Sequence, residues 1–240
     1  MKLKLILSYD GSRFNGSASQ SHKNSVQDNL HDALKHLGIF KKPLFASRTD
    51  KGVHASRAVA CIECGEHFKD LLFLKKQINK FAKPFIYIRY IERVKDDFEV
   101  RFDVKSREYR YIFNHSEFNP LQSSYCHFYP KIDIKKVNEI LMLFEGVHDF
   151  SFFQKLGGSN KTSIREIFDA KAYAYKNYTI FHFKANGFLR SQIRLIVAAV
   201  LKVLEGKMSI LELKEQIDAK KIHSRMLAPA SGLYLSKISY

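Results

Sequence analysis

Residues 43–63 read PLFASRTDKGVHASRAVACIE, two strand-like runs, PLFAS and HASRAVACIE, joined by a polar turn. The turn, SRTDKGVHA at 47–55, carries one carboxylate, Asp50, after Arg48 and before Gly52, and no other Asp or Glu lies within ten residues on either side. An Asp in a turn has an ordinary use, bonding the nearby backbone. An isolated acid held at a strand end in a basic segment also has a chemical one.

On both sides of this stretch, period-two runs alternate with helical ones. LKLILSY, FIYIRYIE, FEVRFDV, REYRYIF, IFDAKAYAY, YTIFHFKA and GLYLSKIS read as strands. In NSVQDNLHDALKHLG, Ser25 caps a helix with Asp28 three residues on, Val26, Leu30, Ala33, Leu34 and Leu37 share a face, and Gly38 ends it. DIKKVNEILMLFEG repeats the logic, with Asp133 as cap, Val137, Leu141 and Phe144 inward, and Gly146 as stop. SQIRLIVAAVLKVLEG is apolar almost all round from Leu195 to Val203, the mark of a buried helix. The fold class is α+β. The polar stretch ERVKDDFEVRFDVKS puts a boundary near residue 104, giving halves 1–104 and 105–240 of similar element content. QKLGGSNKTS reads as a surface loop without the spacing of a phosphate-binding loop.

The 240 residues hold 40 Lys+Arg against 24 Asp+Glu, a formal charge of +16, which points to a polyanionic partner. There is no apolar run of membrane-spanning length and no Trp, so a membrane surface is a poorer fit. The opening MKLKLILSYDG is interrupted by Lys4 and reads as a first strand, not a signal peptide. Three cysteines, Cys61, Cys64 and Cys126, are an odd number, as expected of a reducing cytoplasm. Cys61 and Cys64 are three apart on a strand and point to opposite faces, so they do not form a metal or redox pair.

Two further places stand out. Arg194 opens the apolar helix, and a guanidinium cannot lose its charge, so burying it demands an anion or several acceptors. Asp50 and an acid of the C-terminal half are both candidates, while Arg190 reads as solvated or phosphate-facing. Arg107, Tyr109 and Tyr111 share one face of a strand, which is either an ordinary half-buried strand or a platform on which a nucleic-acid base stacks.

SYDG near the start, SRTDKGVHA, REYRY, ANGFLRSQIR and GLYL near the end, in this order and at these distances, resemble the tRNA pseudouridine synthase A family over essentially the whole chain. The resemblance implies two ferredoxin-like α+β halves with antiparallel sheets about a basic cleft, and a homodimer. It also implies a cytoplasmic enzyme without cofactor or metal, which converts uridine to pseudouridine at nucleotides 38, 39 and 40 of the tRNA anticodon arm. By the same resemblance Asp50 is the essential aspartate and Arg194 its partner. Tyr109 is the ring that stacks on the target uracil, Leu233 lines the pocket and Arg48 holds the displaced nucleotide. Arg107 comes from the strand face alone, as the cation that holds the nucleic-acid backbone beside the tyrosines. The chain departs from the family in three places. Gly16-Ser17-Ala18 stands where G-W-Q is usual, which implies a lost Trp contact; Ser47 replaces a glycine; and Gln154 replaces an arginine.

That reaction breaks the bond from C1′ to N1, turns the base and rejoins it through C5, so the uridine must leave its stack. Asp50 either attacks C1′ or removes a proton from C2′. Two other functions fit a basic chain: a tRNA-binding or folding protein without turnover, and a metal-dependent nuclease. The nuclease needs clustered carboxylates, which the neighbourhood of Asp50 lacks.

Overall fold

The computed structural model describes residues 1–21, 23–157 and 161–240. The chain forms two compact units, Met1–Lys105 with Tyr234–Tyr240, and Ser106–Leu233. The first boundary falls next to the expected one. The last seven residues, expected in the second half, group with the first unit.

The first unit contains β1 (Lys2–Tyr9), α1 (Val26–Lys35), β2 (Leu44–Phe45), β3 (His54–Glu63), α2 (Leu71–Ala82) and β4 (Ile86–Arg93). Its antiparallel strands lie in the order β4-β1-β3-β2, the ferredoxin-like arrangement of a βαββαβ chain. Alternation in β1 sends Leu3, Leu5 and Leu7 into the core, all fully buried, and leaves Lys2, Lys4, Ile6 and Ser8 on the other face. Ser25 and Asp28 form the expected capping box on α1, whose buried face is Val26, Leu30, Ala33 and Leu34. Leu37 lies past the helix end and is only half-buried, and Ile39 is buried after it.

One reading needs correction here. FEVRFDV is not a strand: Asp103 accepts the Glu99 N–H through its carboxylate (2.8 Å), and Phe102 and Asp103 donate to Glu99 O. A side chain that bonds local backbone competes with a ladder. α2 and, in the second unit, α5 (Ile210–Ile217) are helices that the sequence reading did not single out; in α2, Leu72 and Phe73 are exposed while Leu74, Ile78 and Ala82 face the core.

The second unit contains β5 (Ser106–Asn114), β6 (His127–Phe128), α3 (Ile134–Leu141), β7 (Gly146–Asp149), β8 (Ile164–Tyr175), β9 (Tyr178–Ala185), α4 (Gln192–Leu204) and α5 (Ile210–Ile217). Its antiparallel order is β5-β9-β8-β7. From Gln192 to Val203, only Arg194 and Lys202 of α4 escape full burial. The same device recurs in both units, an Asn amide on a helix that bonds both main-chain groups of one strand residue. Asn79 on α2 takes Ile88 (2.6 and 2.9 Å), and Asn138 on α3 takes Ala172 (2.6 and 3.1 Å). The final strand, β10 (Leu233–Ser239), pairs parallel with β3 through Tyr234–His54 and Leu235–Ala55. Residues 158–160 of the loop QKLGGSNKTS lie outside the described residues. No helix among the described residues is long and apolar enough to cross a membrane.

Candidate active site

Asp50 sits half-buried in a tight turn that leads into β3. Its carbonyl accepts the Val53 N–H (3.2 Å), and Gly52 supplies the positive φ of +81° that this turn requires. The turn is pinned at Thr49. Thr49 N–H donates to Ser17 Oγ (2.7 Å), Ser17 N–H donates back to Thr49 O (3.1 Å), and the Thr49 hydroxyl shares a hydrogen bond with Tyr9 (2.8 Å). Ser17 is completely buried. The position where the resemblance implied a lost contact therefore holds the residue before Asp50 by both of its main-chain groups.

Three of the quoted motifs meet at His54. Gly11 N–H, from SYDG, donates to His54 Nδ1 (3.1 Å), so that nitrogen carries no proton. A Cβ on Gly11 would lie 2.0 Å from Val53 O, hence a glycine there. Tyr234, from GLYL, stacks on the His54 ring at 4.6 Å and 19°. The entry of β3, the first loop and the last strand thus brace the turn that carries Asp50, with Arg48 exposed on it.

In the second unit REYRY and ANGFLRSQIR lie side by side. Arg107 donates through Nη1 to Asn186 O (3.0 Å), and Tyr109, 7% exposed, meets the Phe188 ring edge-on at 5.3 Å. Tyr111 is fully buried, so it is core and not part of a stacking platform. Its hydroxyl donates to Pro229 O (2.9 Å) and takes its second contact from His127 Nδ1 (3.1 Å). Burial pushes the Tyr111 phenol far above its usual range, against a smaller downward pull from Arg194, and burial lowers His127. Both therefore stay neutral.

Arg194 is half-buried and donates through Nε to Ala228 O (2.7 Å), while Ala228 N–H donates to Arg194 O (3.1 Å). Part of its demand is thus met by backbone carbonyl, using one of five N–H donors. Arg194 and Tyr111 together hold residues 228 and 229, just ahead of Leu233, which is 5% exposed. Gly232 between them passes so close to Tyr111 that a Cβ would lie 2.8 Å from its ring. Ser17, Tyr9, His54 and Tyr111 were not singled out as supports in the sequence, because each works through a partner remote in the chain.

Residues 140–240 match the family model described as tRNA pseudouridine synthase, a class of isomerases. Proteins named tRNA pseudouridine synthase A match along the whole chain. The one from Campylobacter jejuni (strain RM1221) is 67% identical over 240 residues, 100% of both chains. That of Wolinella succinogenes is 40% identical, covering 99% of this chain and 94% of its own, and that of Helicobacter pylori (strain ATCC 700392 / 26695) is 37% identical, covering 99% and 98%. The chain belongs to the tRNA pseudouridine synthase A family. Among solved structures, a chain of a Cbf5-Nop10-Gar1 complex overlaps at a TM-score of 0.39 with 13% identity, covering 82% of this chain and 44% of that one.

Proposed function

We propose that this isomerase converts uridine to pseudouridine at nucleotides 38, 39 and 40 in the anticodon arm of tRNA, with Asp50 as the reacting carboxylate. The observation that carries the reading is the 67% identity, over the full length of both chains, to a tRNA pseudouridine synthase A. The braced turn around Asp50 supports the choice of residue. A carboxylate that must meet one atom of a flipped nucleotide gains from a backbone that does not move.

In this reading the target uridine leaves its stack and Tyr109 meets the uracil. Leu233 lines the apolar side, Arg48 holds the displaced nucleotide and Arg107 faces the substrate backbone. Asp50 acts ionised, as nucleophile at C1′ or as base at C2′. Arg194 is its cationic partner. The C1′–N1 electrons leave with the uracil, which rotates and bonds C1′ through C5; Asp50 is released from C1′, or returns its proton to C2′, in that same step, the C5 proton passes to solvent and N1 takes up a proton. Product and substrate have the same atoms, so no redox partner is required. The enzyme works in the cytoplasm as a homodimer on a basic RNA-binding surface.

Incubating the pure protein with a tRNA transcript and mapping pseudouridine at each position tests this. Product confined to nucleotides 38–40 upholds the reading. Product elsewhere overturns the position, and no product overturns the activity.

A further inference from the structure

We propose that β4 and the turn before it form a second RNA-contact surface, apart from the turn that carries Asp50, which takes unstacked nucleotides of the same substrate. The inference rests on the tRNA substrate of the proposed function and adds a binding site to it.

β4 and the turn before it, residues 83–93, carry Lys83, Arg89 and Arg93 against one acid, Glu92, which is paired with Lys4. On and beside β4, Phe85, Tyr87 and Tyr90 are 39%, 43% and 55% exposed. Burial does not explain three large rings left in water along one strand. The strand is built to present them. Ile6 pairs with Tyr90 and Leu7 with Ile88, so Arg89 is an extra residue in a bulge. Regular alternation would have turned Tyr90 into the core; the bulge puts it on the same open face as Tyr87, which pairs with Ser8.

Cations accompany the rings. Lys83 Nζ lies 5.9 Å from the Tyr87 ring centre and the Arg13 guanidinium 5.1 Å from that of Phe85. Rings that accept any base, beside cations that accept phosphate, are the chemistry of single-stranded nucleic-acid contact. The surface is also continuous with the support of Asp50: Phe85 O accepts Asp10 N–H (3.0 Å), and Phe14 packs edge-on against Phe85 at 6.5 Å, in the same first loop that ends on Ser17 and Thr49.

A second copy of the chain fits the surface less well. A two-fold contact would set these cations against themselves. Strand addition at β4 is hindered as well, because Asn79 already bonds both main-chain groups of Ile88.

The test uses the whole protein and a fluorescent tRNA transcript, with Kd read by anisotropy, which needs no turnover. Tyr87→Ala with Tyr90→Ala should weaken binding about tenfold or more with the salt slope unchanged, and Tyr87→Phe with Tyr90→Phe should restore it. Lys83→Gln with Arg89→Gln should lower the log–log salt slope by about 1.4, roughly 0.7 for each single-strand phosphate contact. Kd within twofold of wild type in both the alanine and glutamine pairs overturns the proposal. So does a change in oligomeric mass by light scattering, which would make the surface a protein interface. Wild-type protein that binds tRNA through these residues but forms no pseudouridine would overturn the proposed activity and leave this surface standing.

Discussion

At the scale of single residues, Thr49 shows how the candidate site is held, since Ser17 bonds both its N–H and its C=O. Ser17→Ala removes the acceptor and leaves a part-buried N–H unmatched, at a cost of about 1–3 kcal/mol, which thermal unfolding should register. Asp50→Asn keeps the shape of the turn but is neither base nor nucleophile, so tRNA affinity should stay within about threefold while pseudouridine formation disappears. Measurable product from that variant would remove Asp50 from the chemistry. Arg194 has two tasks, the bond to Ala228 O and the proposed charge beside Asp50. Arg194→Lys retains the charge without the planar fork, so its turnover should exceed that of Arg194→Ala, and a double-mutant cycle on stability with Asp50→Asn should be non-additive. Strict additivity would mean that Arg194 serves another partner. The candidate acid and arginine were legible in the sequence because an isolated carboxylate and a cation at the start of an apolar helix both stand out there. Their supports were not, since Ser17 and Thr49 lie 32 residues apart and nothing local marks their meeting.

At the scale of elements, local chemistry predicted most boundaries. α1 begins where Ser25 and Asp28 exchange hydrogen bonds, and Ser25→Ala should cost about 1 kcal/mol, read as a fall in midpoint temperature. Burial raises the Asp28 carboxyl, but hydrogen bonds from Ser19 and Ser25 outweigh it and leave the group below its ordinary 3.8. A depressed folded value means a contribution fully present above the unfolded value and lost as pH falls through the folded one. Asp28→Asn should therefore flatten part of the fall in stability between about pH 5 and pH 2. An unchanged acid limb would show that the capping box titrates alike in the folded and unfolded chain. Where an element reading failed, a side chain was responding to something beyond period. Asp103 folded FEVRFDV back on Glu99.

At the scale of the whole molecule, the formal charge of +16 makes affinity for a polyanion a matter of counterion release. The log of tRNA affinity should fall linearly with the log of salt, with a slope of about −0.7 to −0.9 for each phosphate contacted. A nearly flat plot would mean that the charge serves something other than RNA. By itself the sequence determined the α+β class, most of the strands, the helices α1, α3 and α4, and the motifs that mark the family. Each of these is written in spacing over a few residues, or in residue types that a turn or a helix end demands. Only the tertiary structure decided that the last strand returns to β3, and that Ser17, where a Trp was expected, braces the Asp50 turn. It also decided that Tyr111 is core while Tyr109 keeps a small accessible edge, and that a one-residue bulge turns Tyr90 outward. Those outcomes depend on register and on contacts between residues far apart in the chain, where one residue of slip exchanges the inside for the outside.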